Sequence, residues 1–359
     1  MTKKIIFLGG GTGGHLLPAI NLMEYFFDKN YEVVLVTDKR GSNFLKNNKK
    51  FKFYIINTST PTNKNLIKKF FSFFFIFYSL IQSIIILKKE KPNLIFGFGG
   101  YVSFPISFIS RFFKLPLIIY ENNIFPGRAN KYLAHFAKKI LIAKKIKDNF
   151  SNMHNNKIYE VGSILSKYII NYNSKKEFSD NKEFSILVLG GSQGAEIFGN
   201  IVPQSLEMLK NEGHSIKIYQ QCLAEQKQSI TDFYKKNKIN NNIFEFTENI
   251  SEIISLSDLA ITRCGASSTA ELVHMETPFI GIPLPSSVDN HQYLNAKYYE
   301  KKGCCWLLDQ KDFDSNNLFN LIVEIIKNKN KLDKIRENMK KNKDKNVYEN
   351  IENEIKEFF

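Results

Sequence analysis

The sequence predicts an α/β protein built from two parallel-sheet domains, and two stretches carry that expectation. Residues 3–8 form a short apolar run that turns directly into Gly9-Gly10-Gly11-Thr12-Gly13-Gly14-His15, after which Leu16 to Glu24 reads as a helix with Pro18 in its first turn. Residues 185–189 repeat the plan and run into Gly190-Gly191-Ser192-Gln193-Gly194-Ala195. A strand feeding a glycine turn and a helix start is the building unit of an open parallel sheet. Unpaired N–H groups and the helix dipole at such a turn favour a phosphate. The first loop lacks the Lys-Ser/Thr ending of a nucleoside-triphosphatase loop, and a nicotinamide loop is not expected to end in His. Taken alone, either loop also fits a plain tight turn.

A chain of 359 residues holds two ordinary domains, each with its own core, and 43% hydrophobic residues suit a globular protein. The net charge of +15 comes mostly from Lys. A basic surface suits nucleic acid, anionic lipid or an acidic substrate. No Arg-rich block, aromatic-interleaved basic strand or zinc-finger spacing favours nucleic acid. Cys222, Cys264, Cys304 and Cys305 have no CxxC spacing, so neither a disulfide framework nor a zinc knuckle is expected, and a reducing compartment is the simplest setting. The start enters a strand at once, which is not signal-peptide architecture.

Along the chain, strands are expected at Glu32 to Thr37, Phe53 to Ile56, Leu94 to Phe96, Leu117 to Tyr120, Lys139 to Ala143 and Ile158 to Val161. Phe70 to Leu87 has no charge and lies between Lys68-Lys69 and Lys88-Lys89. Its length fits a membrane span. Ser72, Ser79, Gln82 and Ser83 interrupt it, and the alternating pattern that follows would be split across a bilayer, which favours an in-plane or buried helix. Gly97 to Tyr101 is a second glycine turn at a strand end, and Glu121-Asn122-Asn123 follows the next strand. Ligands of open parallel sheets collect at such ends.

Gly162-Ser163 and the polar tract Asn171 to Lys182 mark a junction, beyond which strands are expected at Ile216 to Tyr219, Ile243 to Phe246, Leu259 to Thr262 and Phe279 to Ile280. Gly265 to Glu271 sets several N-terminal-turn donors ahead of an acid. That order suits a ribose diphosphate, with the donors on phosphate and Glu271 accepting from sugar hydroxyls. A solvated helix acid is the plain alternative for Glu271.

Six ordered motifs, Gly10 to His15, Gly97 to Tyr101, Glu121 to Asn123, Gly190 to Ala195, Arg263 to Glu271 and Asp289 to Ala296, make the chain resemble the bacterial UDP-N-acetylglucosamine:N-acetylmuramyl-(pentapeptide) pyrophosphoryl-undecaprenol N-acetylglucosamine transferases over essentially its whole length. The resemblance implies a GT-B fold, two Rossmann-like parallel-sheet domains facing a cleft. Domains are then expected at residues 1–163 and 164–340, with a terminal helix at 341–359 returning to the first. It further implies inverting transfer of N-acetylglucosamine to the C4 hydroxyl of an undecaprenyl-linked muramyl pentapeptide during peptidoglycan synthesis, without a cofactor or metal.

By the same resemblance, Thr12, Gly13 and Gly14 would border both substrates, His15 would be the general base and Asn123 would contact the donor sugar. Ser192 would contact the nucleotide, Thr247 would lie beside the uracil, and Ala266, Ser267, Ser268, Thr269, Ala270 and Glu271 would hold the diphosphate and ribose. Gln292 would hold the sugar. Phe70, Phe74, Phe77 and Leu80 would face an anionic membrane surface, placing a peripheral enzyme on the cytoplasmic side of the inner membrane, with other cell-wall synthesis proteins as partners. Two stretches depart from the family pattern. Tyr120-Glu121-Asn122-Asn123 stands where His-Glu-Gln-Asn is usual, and Ser166 occupies a substrate-binding position that usually carries an Arg near the nucleotide. Another GT-B transferase with a different lipid acceptor, a related epimerase and a non-catalytic nucleotide-sugar binding protein are the competing readings.

Overall fold

The computed structural model describes residues 3–11, 13–45, 50–58, 66–145, 150, 152–172, 183–191, 196–247 and 249–359, with only the backbone path at 44, 66–74, 152 and 153. It divides into two compact units: Met1–Ser166 with Asp344–Phe359, and Lys167–Lys343.

Unit 1 runs β1 (Lys4–Leu8), α1 (Gly13–Asp28), β2 (Glu32–Thr37), α2 (Lys39–Ser42), β3 (Lys52–Ile55), α3 (Leu66–Glu90), β4 (Leu94–Gly97), α4 (Gly100–Ser110), β5 (Leu117–Glu121), α5 (Arg128–Leu133), β6 (Lys139–Ile142) and β7 (Ile158–Glu160). Unit 2 continues with α6 (Lys167–Ile170), β8 (Phe184–Leu189), α7 (Glu196–Asn211), β9 (Ile216–Gln221), α8 (Ala224–Lys236), β10 (Asn240–Phe244), α9 (Ile250–Leu256), β11 (Leu259–Thr262), α10 (Ala266–His274), β12 (Phe279–Gly281), α11 (His291–Lys301), β13 (Cys305–Leu307), α12 (Ser315–Lys327) and α13 (Lys329–Asn342). The chain ends with α14 (Val347–Ile355) back in unit 1.

Among the described residues the sheets are parallel throughout, in the orders β3-β2-β1-β4-β5-β6-β7 and β10-β9-β8-β11-β12-β13. Parallel strands covered on both faces carry continuous apolar runs rather than alternation. β1 shows this directly: Ile5 and Phe7 pack on the face shared with α1 and α14, while Ile6 and Leu8 pack on the face shared with α4 and the end of α3. In unit 2 the strand residues Ile186, Val188, Ile218 and Ile261 pack against Phe198, Val202 and Leu206 of α7 and Leu318 and Ile322 of α12. In α14, Val347, Tyr348, Ile351 and Ile355 lie on one helical face, and that face closes the unit 1 core.

Several boundaries differ from expectation. α1 begins at Gly13, so His15 lies in its first turn rather than in a loop, and Pro18 falls inside the helix, where its missing N–H forgoes one ladder bond. The strand expected at Ile243 to Phe246 runs instead from Asn240 to Phe244. As an edge strand it is held by its ladder to Lys217–Gln221, which asks nothing of the Asn side chains, and Phe246 is exposed. β13 was not anticipated; its three residues pair with β12 at the opposite edge.

From Phe75 onward, helix α3 has one side packed on the core and the other exposed. Among the described residues no helix is long and apolar enough to cross a membrane. Ser79, Ser83, Ile86, Leu87 and Glu90 are buried, whereas Phe75, Phe77, Tyr78, Ile81 and Ile85 are exposed. Leu80 packs partly against the core, so the exposed stripe passes through Phe77, Ile81 and Ile85 instead, and the side chains of Phe70 and Phe74 lie outside the described residues.

Candidate functional site

The strand order of each sheet reverses once, between β1 and β4 in unit 1 and between β8 and β11 in unit 2. At such a point the crossovers leave to opposite faces and open a crevice beyond the carboxyl ends of the strands.

In unit 1 the loops at that edge are those after β1 and β4. Thr12 lies outside the described residues; Gly13 is buried and Gly14 exposed. His15 is half-buried, and its ring lies against Gly100: a Cβ there would sit 3.3 Å from His15 Cδ2, at a φ of +74° that side chains rarely adopt. Only glycine lets the second loop approach the imidazole this closely. Asp38, at the end of β2, gathers both loops. Its Oδ1 accepts the Gly11 N–H (3.1 Å) and the Gly41 N–H (2.9 Å), and its Oδ2 accepts from the Tyr101 hydroxyl and from Arg40 Nε (3.3 Å). Burial opposes ionisation of Asp38, but these donors outweigh it and hold the carboxyl below its ordinary range.

The loop after β5 is organised by buried Glu121. Oε1 accepts from the Asn123 backbone N–H and Nδ2, both at 3.0 Å, and Oε2 accepts from the Gly127 N–H and Asn130 Nδ2, both at 2.9 Å. Asn123, half-buried, is thereby fixed at the carboxyl edge of the same sheet. Tyr120 is fully buried; its hydroxyl accepts the Ile164 N–H at 3.1 Å and lies 3.0 Å from the Gly162 carbonyl oxygen and 3.1 Å from Asn122 Oδ1. Tyr120, which stands where the family usually has His, is therefore a core strut. Ser166, the second departure, is half-buried at the end of the first segment of unit 1.

In unit 2, Ser192 lies outside the described residues. Gly265 caps α10 without a side chain to cover the first-turn amides, so the positive end of the helix stays available to an anion. Ser267, Ser268 and Glu271 are half-buried. Thr269 and Ala270 turn their side chains inward. Thr269 is fully buried, and its hydroxyl is spent on the Gly265 carbonyl at 3.0 Å and the Ala266 carbonyl at 3.1 Å. Surrounding protein desolvates Glu271 and pushes its carboxyl up to about 7.

Gln292, in the first turn of α11, accepts the Cys264 N–H at 3.1 Å and the Leu284 N–H at 3.0 Å with the same Oε1. The amide orientation follows, with Nε2 left to donate outward. Asn295, one turn on, donates to the Cys264 carbonyl at 3.1 Å. Thr247, half-buried after β10, accepts the Asn249 N–H at 3.1 Å. Sequence reasoning assigned no site role to Asp38, Glu121, Arg263 or Asn295; Asp38, Arg263 and Asn295 each bond to residues distant in sequence, whereas Glu121 organises its own loop.

An ionised Glu271 is a cost that the fold carries. The unfolded chain releases this proton near the ordinary value of 4.5 and the folded chain near 7. Stability is therefore complete below the lower value and falls as pH rises through the interval. Glu271→Gln should raise the melting temperature at pH 8 and leave it nearly unchanged at pH 4. An equal shift at both pH values, read by scanning fluorimetry, would contradict the desolvation of this carboxyl.

Residues 5–142 match the glycosyltransferase family 28 N-terminal domain and residues 185–353 the family's C-terminal domain. The UDP-N-acetylglucosamine--N-acetylmuramyl-(pentapeptide) pyrophosphoryl-undecaprenol N-acetylglucosamine transferase of Pelagibacter ubique (strain HTCC1062) is 35% identical over 353 residues, covering 98% of this chain and 97% of the relative. Its counterpart from Rickettsia bellii (strain RML369-C) is 35% identical over 344 residues, 95% of this chain and 94% of the relative. The crystal structure of Acinetobacter baumannii MurG shares the fold with a TM-score of 0.80 at 22% identity, over 99% of both chains. With relatives this similar over nearly its full length, the chain belongs to the UDP-N-acetylglucosamine--N-acetylmuramyl-(pentapeptide) pyrophosphoryl-undecaprenol N-acetylglucosamine transferase family and is a hexosyltransferase of GT-B fold.

Proposed function

We propose that this enzyme transfers N-acetylglucosamine from UDP-N-acetylglucosamine to the C4 hydroxyl of undecaprenyl-diphospho-N-acetylmuramoyl-pentapeptide, releasing UDP with inversion. The observation that carries the reading is the activity named for relatives that match the chain along nearly its whole length. The two carboxyl-edge sites agree with it, since each offers a glycine turn and a helix start to an anion.

In this reading the acceptor hydroxyl gives its proton to an imidazole nitrogen of His15, and its oxygen forms the new bond to the anomeric carbon. The bond from that carbon to the diphosphate breaks, and its electron pair leaves on the β-phosphate of UDP. The start of α10 stabilises the developing charge, so no metal is required. Glu271 accepts from the ribose hydroxyls, the outward amide of Gln292 donates to the sugar, and Asn123 is held against the same sugar by Glu121. The glycine loop from Thr12 to Gly14 and Ser192 in the second loop complete the contacts to acceptor and nucleotide, with Thr247 beside the uracil.

Labelled UDP-N-acetylglucosamine and the lipid-linked muramyl pentapeptide should yield a labelled lipid disaccharide with a β linkage. His15→Ala should lower that turnover roughly 100-fold or more, the range of a lost general base, while calorimetry finds donor affinity nearly unchanged. A labelled product only with other acceptors would overturn the substrate assignment, and near-normal turnover of the variant would remove His15 as base.

We infer further that the enzyme attaches peripherally to the cytoplasmic face of the inner membrane. The exposed stripe Phe77, Ile81 and Ile85 on α3, followed by exposed Lys88 and Lys89, supports this. Co-sedimentation with anionic vesicles should weaken with Phe77→Ser plus Ile81→Ser and with high salt. Binding indifferent to both changes would contradict it.

A further inference from the structure

The side chain that stands out in unit 2 is Arg263, which follows β11 and is only 8% exposed. Its Nη1 donates to the carbonyls of Ile282 (3.1 Å) and Pro283 (3.3 Å), and its Nη2 donates to Gln310 Oε1 at 2.7 Å. The Phe198 ring, near the start of α7, lies 5.0 Å from its Cζ. Every one of these partners is neutral. Among the described residues no carboxylate pairs with Arg263. Burial lowers its pKa, yet a guanidinium titrates so high that it stays charged at neutrality.

A buried charge without a counter-charge is costly, and tying loop carbonyls together does not by itself demand one. The location accounts for the cost. The Arg263 N–H bonds to the Leu189 carbonyl at 3.1 Å, so the residue sits where β8 and β11 part, between the starts of α7 and α10. An anion lodged at that crevice would supply the missing counter-charge from the front of the loop.

We propose that Arg263 is a positioning and charge-tuning residue: from behind the loop it keeps the α10 crevice at positive potential and so strengthens binding of the donor diphosphate without touching it. The inference rests on the donor-site reading above.

The test compares UDP with uridine, which shares the base and ribose but carries no charge, on wild-type protein, Arg263→Lys and Arg263→Met. Arg263→Met should weaken UDP binding about tenfold, the scale of one charge acting through a partly screened site, and change uridine binding by less than about twofold. Arg263→Lys should recover most of the UDP affinity. Uridine binding doubles as the check that each variant is folded. A parallel loss of UDP and uridine affinity would make Arg263 a purely structural tie and overturn the proposal, as would normal UDP binding by Arg263→Met. Wild-type protein that binds no UDP would overturn the donor-site reading itself, a result distinct from either.

Discussion

Parallel strand pairing is the constraint from which the rest of this structure follows. A parallel sheet returns each chain through a crossover, so the helix that follows a strand begins at that strand's carboxyl end. The positive ends of α1 and α4 in unit 1 and of α7 and α10 in unit 2 therefore gather along one edge of their sheets. The reversal of strand order then opens a crevice in that edge. Anion recognition is thus a property of the fold, and what the sequence adds is the choice of side chains that line it.

Those side chains divide between holding and reacting. Asp38 and Glu121 spend their lone pairs on loop amides, so their negative charge serves to fix Gly11 and Asn123 rather than to meet substrate. Gln292 likewise uses its amide oxygen internally and has only donors left to offer. Glu271 and Arg263 are different, because each carries a burial cost and, among the described residues, no oppositely charged side chain pairs with it. Such costs are expected where a ligand completes the site.

Much of this was legible before the structure. Apolar runs ending in glycine announce β1, β4 and β8 because strand, turn and helix start are each local and contiguous in the chain. Edge strands were harder: β10 opens on Asn240-Asn241-Asn242 and β13 is three residues long, and both exist through their neighbours' backbones. Side-chain facing within a helix was only partly readable: the Thr269 hydroxyl turns inward onto the Gly265 and Ala266 carbonyls. The bond from Arg263 to Gln310 joins residues far apart in sequence, and no local pattern contains it. Tyr120 shows the same limit. In the motif it only marks a departure from the family pattern, whereas in the fold it is a buried strut whose hydroxyl ties the end of β5 to the segment after β7.

The central claim is that the donor nucleotide is held at the carboxyl edge of the unit 2 sheet. Hydrogen exchange measured with and without UDP tests it most directly, since a bound diphosphate must protect the amides that grip it. Exchange should slow in peptides covering residues 263–271 and 284–295. It should stay unchanged along the open groove of about 780 Å³ lined by Lys217, Lys227 and Asn240 on the flank of the same unit. Protection confined to that groove, with residues 263–271 exchanging as before, would contradict the account.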